Sequence, residues 1–304
     1  MIETPRTVRG RLSPEPLLQR IGGGDVAAAI SFAGQGVDVL EELVALVAGD
    51  PGLLARVELA EDVLTGLAAS PLGEASGAFR HGTEIRSWVI DPDAAPPAAY
   101  RRGAALSYPL LLLAQTLLWD TLDRDGLTDA LTTGRVVATT GHSQGLLAAL
   151  MVAEAAGRDG DARYAIDDAL LARYLRYSWA QGLHMAAVSE PIDEARELAP
   201  LVAVGGVRRS RLDPLLDLAN ARLPEDRRVA VALVNGATSQ VVGGPQPSLA
   251  LLRSTLDAQA AEERAARQRG TRGGAPLRFD WSPLPVDVPF HTPGLAAAQA
   301  RFVG

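Results

Sequence analysis

Gly141-His142-Ser143-Gln144-Gly145 sets one hydroxyl midway between two glycines. A sharp strand-to-helix turn needs that spacing, because its backbone crowds any Cβ at the flanks while lifting the serine hydroxyl clear of the sheet. The helix that follows would aim its N-terminus at a reacting carbon and offer the Gln144 backbone N–H to a developing oxyanion. A serine hydroxyl is a weak nucleophile at neutral pH and needs a base within hydrogen-bond reach. The chain has four histidines and no cysteine, so a cysteine nucleophile, a disulfide and cysteine-ligated zinc are excluded.

Three of the four histidines have simple structural readings. His142 lies inside the turn, with its side chain expected to point away from the serine. His81 sits beside Gly82 in a loop and His184 ends a helical stretch, so each reads as a cap or surface residue. His291 follows the strand-like run Leu284-Pro285-Val286-Asp287-Val288-Pro289-Phe290 and opens a turn at Thr292-Pro293. A strand end after an excursion can return a distant base to its nucleophile, although an exposed turn histidine would have the same local sequence. Phe32-Ala33-Gly34-Gln35-Gly36 is loop punctuation by itself. Beside a nucleophile turn it becomes a candidate second oxyanion donor through the Gln35 amide, since glycines let the backbone approach a ligand closely.

These residues need elements to hold them. Asp25 to Phe32 is a compact apolar run bounded by glycines and reads as a buried strand. Helical periodicity occupies Val39 to Val47 and Leu53 to Leu67, broken by Asp50-Pro51-Gly52. Residues 69 to 104 are rich in Pro, Gly and Ala and read as loops and short helices. The apolar stretch Leu106 to Leu118 reads as a buried helix, too short and too interrupted to span a bilayer. Gly134 to Thr140 is a β-branched strand that runs straight into Gly141, and Leu146 to Ala155 reads as the helix after it. A helix is expected from Ile166 to Met185. Beyond it come strand Leu201–Val204, helix Arg211–Leu223, strands Val229–Val234 and Gln240–Val242, helix Leu249–Gln268, and a closing strand over Ser282 to Val288. That order predicts a small α+β insert. The charged 249–268 helix and the Arg- and Gly-rich residues 264 to 275 read as solvated surface.

At 304 residues, with 47% apolar and 21% charged residues, the chain suits one large core with a smaller partner. Its basic residues are all arginine, and 29 of them against 36 acidic give a net charge of −7. Nucleic acid and anionic membrane are therefore disfavoured partners. The N-terminus lacks a signal-peptide run, and the absence of cysteine fits a reducing cytoplasm.

Three motifs in order, Phe-x-Gly-Gln-Gly, Gly-His-Ser-x-Gly and Phe-His-Thr-Pro, make the chain resemble the acyltransferase domains of fatty acid and polyketide synthases. Gln144, the segment Val231 to Gly244, and Pro289 to Pro293 are most similar to the N-terminal acetyltransferase, or starter-loading, domain of type I fatty acid synthases of actinobacteria and fungi. The resemblance implies an α/β fold: a hydrolase-like subdomain with a parallel sheet and nucleophile elbow (1–185 and 280–304), and a small ferredoxin-like subdomain (186–279). It further implies Ser143 as acylated nucleophile, His291 as base, Gln35 and Gln144 amides as oxyanion hole, and Asn235 lining the site. Asn235 in Val-Asn-Gly is otherwise most simply a turn residue.

The implied reaction moves an acetyl group from its coenzyme A thioester, through an acyl-serine, to the phosphopantetheine thiol of an acyl carrier protein. No cofactor or metal is bound, and the other partners are the domains or subunits of a multienzyme synthase. Arg176 falls near where malonyl-specific relatives keep a carboxylate-pairing arginine, which leaves malonyl or malonyl/palmitoyl transfer as an alternative. Leu146, where those relatives have Glu, argues against it. The family's hydrolase-like domain continues past the histidine, so this chain is expected to be a portion of a longer one, without the groups that orient His291. A serine esterase with Asp280 or Asp287 as third member, and a non-catalytic segment of a synthase, are the remaining readings.

Overall fold

A computed structural model describes residues 15–35, 38–157, 164–189, 199–271 and 274–303. Gly36 of the first motif, and residues 272–273 of the Arg- and Gly-rich segment, lie outside the described residues. In chain order the elements are α1 (Glu15–Gly22), β1 (Ala27–Phe32), α2 (Leu40–Gly49), α3 (Leu54–Ala68), α4 (Pro71–Ser76), α5 (Ile85–Ile90), α6 (Ala98–Arg101), α7 (Ala104–Arg124) and α8 (Leu127–Thr133). Then follow β2 (Arg135–Gly141), α9 (Gly145–Gly157), α10 (Asp168–Ala186), β3 (Leu201–Gly205), α11 (Arg209–Asn220), β4 (Ala230–Gly236) and β5 (Ser239–Gly243). The chain closes with α12 (Gln246–Gln268), β6 (Asp280–Pro283) and α13 (Ala296–Val303).

The α/β fold has two parts. In the larger, β1 and β2 pair in parallel and helices surround them. Ala28, Ile30 and Phe32 alternate along β1 to meet the core, as the two-residue period of a strand requires. The 21-residue α7 is buried on nearly every side from Ala104 to Trp119, which is why its sequence shows an apolar run rather than a stripe. Arg56 on α3 binds Asp120 of α7 at 3.0 Å, Asp168 of α10 at 2.5 Å and the Ile166 carbonyl at 2.5 Å, tying three helices together.

The smaller part is a four-stranded antiparallel sheet in the order β4-β5-β3-β6, with α11 and α12 as its two helices. That is the strand order of the split βαβ, or ferredoxin-like, motif. Val202 and Val242 face the helices and pack on Leu212, Leu216, Leu252 and Leu256. Leu201 and Val241 face the other way, toward a third cluster.

Two expectations need correction. The closing strand is Asp280–Pro283, paired with β3, and not Ser282 to Val288. The boundary at 280 therefore cuts through the small sheet, whose last strand ends at Pro283. Prolines at 283, 285 and 289 remove ladder donors and end the strand early. Nor is α12 wholly a solvated face: Glu263 is buried and accepts from Arg211 at 2.6 and 2.7 Å, from Gln259 at 3.0 Å and from the Leu277 N–H at 2.7 Å.

Candidate active site

The register of the parallel pair sets Phe32 beside Gly141, so both glycine turns leave the sheet at the same edge. Ligand sites in open α/β sheets lie outside the carboxyl ends of the strands for this reason. The turns are in contact. The His142 N–H donates to the Phe32 carbonyl at 2.9 Å. A Cβ on Gly34 would lie 2.5 Å from the His142 carbonyl oxygen, and one on Gly145 would lie 2.4 Å from that of Phe32. A Cβ on Gly141 would fall 2.1 Å from the Gly145 carbonyl carbon. No side chain fits at these places, which accounts for both glycines of the second motif and for Gly34 of the first.

Between them Ser143 adopts φ of 53°, and α9 begins two residues later. His291 has φ of 60°, and these are the only non-glycine residues at positive φ among the described residues. Left-handed backbone is costly for residues with a Cβ and persists where surrounding contacts enforce it. Ser143 Oγ and His291 Nε2 stand 2.8 Å apart, across 148 positions of sequence.

The histidine is delivered by the segment after β6. Val286, Val288 and Phe290 are buried in the third cluster, between Leu201, Val241, Ala232 and Leu233 of the small sheet and Ala104, Tyr108 and Met185 of the large part. The Phe290 ring lies 5.7 Å from that of Tyr108. Both carboxylate oxygens of Asp287 lie 3.0 Å from the Ala104 N–H at the start of α7, where an acid meets an otherwise orphaned donor and the positive helix end. Burial pushes that carboxyl up to about 6 despite the hydrogen bond. Gly243 approaches from the small sheet: a Cβ there would lie 2.6 Å from Thr292 Cγ2.

His291 is exposed on its outer side, yet enough protein surrounds the ring that desolvation, then the neighbouring His142, lowers its pKa below the usual value of 6.5. It is therefore neutral, and able to accept a proton, at neutral pH. Among the described residues its Nδ1 has no hydrogen-bond partner. Its ring is tied through Nε2 to Ser143.

The Gln144 amide is in the last residue before α9, and Gln35 follows Gly34, which abuts the His142 carbonyl. Gln144 is buried, and its side-chain Nε2 donates to the Tyr108 carbonyl at 2.5 Å. Gln35 Nε2 meets Ser107 Oγ. Nothing in the sequence pointed to Ser107, Tyr108 or the Asp287–Ala104 contact, because all three are long-range.

Arg176 and Asn235 are not joined to this pair by any contact among the described residues. Arg176 is exposed, and Met185, which packs in the cluster beneath His291, lies nine residues on, about half a turn round the helix. Asn235 is exposed at an irregularity where β4 slips against β5 between Val234 and Gly236. His81 stacks edge-on to Tyr100, with ring centroids 5.0 Å apart. His142 is exposed. Among the described residues no group of three or more His, Asp or Glu is placed to hold a metal, and no helix is long and apolar enough to cross a membrane.

A family model for the fatty acid synthase central AT domain matches residues 200–281. A fatty acid synthase beta subunit of Emericella nidulans is 30% identical over 226 residues, 72% of this chain and 12% of its own length. The fatty acid synthase subunit beta of Schizosaccharomyces pombe is 30% identical over 291 residues, 90% of this chain and 14% of its own. The chain thus spans about an eighth of these curated relatives. A solved malonyl-transacylase, in complex with its type II PKS acyl-carrier protein, matches the fold with a TM-score of 0.57 at 17% identity. It covers 90% of this chain and 67% of its own. With the ordered motifs, the split βαβ part under the matched segment and these relatives together, the chain belongs to the acyltransferase-domain family of fatty acid synthases.

Proposed function

We propose that the chain transfers an acetyl group from acetyl-CoA to the phosphopantetheine thiol of an acyl carrier protein, by way of an ester on Ser143. The observation that carries this reading is the 2.8 Å contact between Ser143 Oγ and His291 Nε2. His291 takes the hydroxyl proton as Oγ attacks the thioester carbonyl. The C=O pair moves onto oxygen, where the backbone amides of Gln35 and Gln144 are the proposed donors, each worth about 3 kcal/mol. Collapse expels the CoA thiolate, which takes the proton back from His291. The carrier's thiol then gives its proton to His291 and attacks the ester, and the departing Ser143 Oγ recovers the proton from His291. Side chains and backbone amides supply every step, with no bound cofactor.

Acetyl is preferred to malonyl because Arg176, the one proposed carboxylate partner, stands exposed on the far side of α10 from Met185. A free carboxylate in the site would then lack the bidentate partner it needs. The carrier protein as acceptor is supported by the beta-subunit relatives and by the solved complex of a transacylase with its carrier. The remaining domains of a synthase, in a reducing cytoplasm, are the proposed setting.

Intact-mass measurement after separate exposure to acetyl-CoA and malonyl-CoA tests the reading. An acetyl adduct on the wild type and none on Ser143→Ala is expected. Equal labelling of both proteins removes Ser143 as nucleophile. A malonyl adduct alone, abolished by Arg176→Ala, replaces acetyl by malonyl. Rapid nitrophenyl ester turnover without a thiol acceptor would make the chain an esterase.

A further inference from the structure

The two residues whose backbone amides are proposed as oxyanion donors use their side chains in the same way. Gln35 Nε2 contacts Ser107 Oγ, and Gln144 Nε2 donates 2.5 Å to the Tyr108 carbonyl. The anchors are consecutive residues of α7, both nearly sealed from solvent, at 7% and 4% exposure. The Gln144 tether has a fixed sense, since a carbonyl only accepts; the Gln35 contact holds whichever of its amide atoms faces the hydroxyl. The side-chain oxygens of both glutamines are buried and have no partner among the described residues. Each glutamine therefore keeps one desolvated polar atom unsatisfied, which is destabilising, while its other end stays fixed on the helix. A hydrophobic residue of similar length at either position would avoid that loss, so the arrangement is better explained by position than by stability.

We propose that Ser107 and the Tyr108 carbonyl of α7 are positioning groups for the oxyanion hole. Through Gln35 and Gln144, they fix the separation and direction of the two backbone N–H donors against one rigid template. This rests on the acyl-serine reading above. The donors come from two turns 109 residues apart in sequence, and only their shared edge of the sheet, through the Phe32–Gly141 register, and α7 relate them. An oxyanion hole depends on donors already aimed at the charge that develops in the transition state. A helix that is buried from Ala104 to Trp119 with few exceptions is a stiff body on which to set them. Its first turn also receives Asp287 from the His291 segment, through Ala104.

The test is a double-mutant cycle on the full chain, read by two rates: acylation of Ser143 by acetyl-CoA, and phosphonylation by a fluorophosphonate probe. The probe uses the same serine, base and oxyanion donors but is indifferent to acyl specificity. Ser107→Ala and Gln35→Met should each slow both rates about tenfold with KM for the thioester unchanged, as loss of an interaction made only in the transition state requires. The double variant should be no slower than Gln35→Met alone, because Ser107 acts through Gln35. Gln144→Met should slow the rates similarly, and its effect should multiply with that of Ser107→Ala. Unchanged rates in Ser107→Ala, a change in KM only, or multiplicative effects of Ser107→Ala with Gln35→Met would each overturn the proposal. Thermal melts keep folding separate: a variant that melts like the wild type but reacts slowly supports positioning, and rates that track melting temperature across the set refute it. If acetyl-CoA fails to label the wild type while the probe labels it and Ser107→Ala slows that labelling, the tether stands and the transferase reading fails. If the probe leaves wild-type Ser143 untouched, both fail.

Discussion

At the scale of single residues, the pair Ser143 and His291 is set by strain and desolvation together. Both take left-handed backbone, at φ of 53° and 60°, and each is held there by neighbours that leave no alternative: the crossed glycines around Ser143, and Phe290 and Thr292 beside His291. Desolvation, followed by the proximity of His142, holds the His291 pKa below 6.5. The proton-accepting form therefore persists further into acidic solution than an ordinary histidine allows, and the acylation rate should fall with a midpoint below pH 6.5. His142→Ala removes a like charge and should move that midpoint upward. A wild-type midpoint at or above 6.5, or a downward movement in the variant, would contradict this account. The Ser-centred turn was legible in sequence because glycine sterics act over five residues. Arg176 was less so: an arginine's place on a helix face depends on which face the fold buries, and the buried face here runs through Ser178, Gly182 and Met185.

At the scale of elements, α12 shows how a pattern of charges conceals a core position. Its run Glu262-Glu263-Arg264 reads as solvent-facing, yet Glu263 is 3% exposed. Burial alone would raise its carboxyl pKa; hydrogen bonds from Arg211, Gln259 and the Leu277 N–H outweigh that and bring it down to about 2. The pKa is depressed relative to 4.5 in the unfolded chain, so its contribution is complete above pH 4.5 and is lost as pH falls toward 2. Glu263→Gln should cost about 2 kcal/mol in urea unfolding at pH 7, since the neutral amide gives up the charge-assisted bonds from Arg211, whose own side chain stays partly in solvent. The gap between wild type and variant should close between pH 4.5 and 2. A constant gap would mean that packing, not charge, holds α11 against α12. The strand expected over Ser282 to Val288 failed at the same scale for a different reason. Its alternating apolar residues are real, but prolines at 283, 285 and 289 withhold ladder hydrogen bonds, and Val286, Val288 and Phe290 are buried by packing alone.

Across the whole molecule, that irregular segment is the joint between the two parts and carries the catalytic base at its end. Val288 is fully buried there, between the small sheet and the ends of α7 and α10. Val288→Ala should cost about 2 kcal/mol of stability and also slow acylation of Ser143 well below the melting transition, because the cavity loosens the support of His291. Leu256→Ala, in the separate core of the small part, should lower stability without changing that rate. Equal rates in the two variants would show that the joint does not position the histidine. The sequence by itself determined the kinds of chemistry open to this protein: a serine between glycines, histidine as its base, no thiol, and a small α+β insert read from strand and helix periods. These follow from sterics and periodicity within a few residues. How closely His291 meets Ser143, which residues of α7 hold the two glutamines, and where one part ends and the other begins were decided only by tertiary structure. Those contacts join positions tens to more than a hundred residues apart, and no local preference encodes the packing that brings them within hydrogen-bond distance.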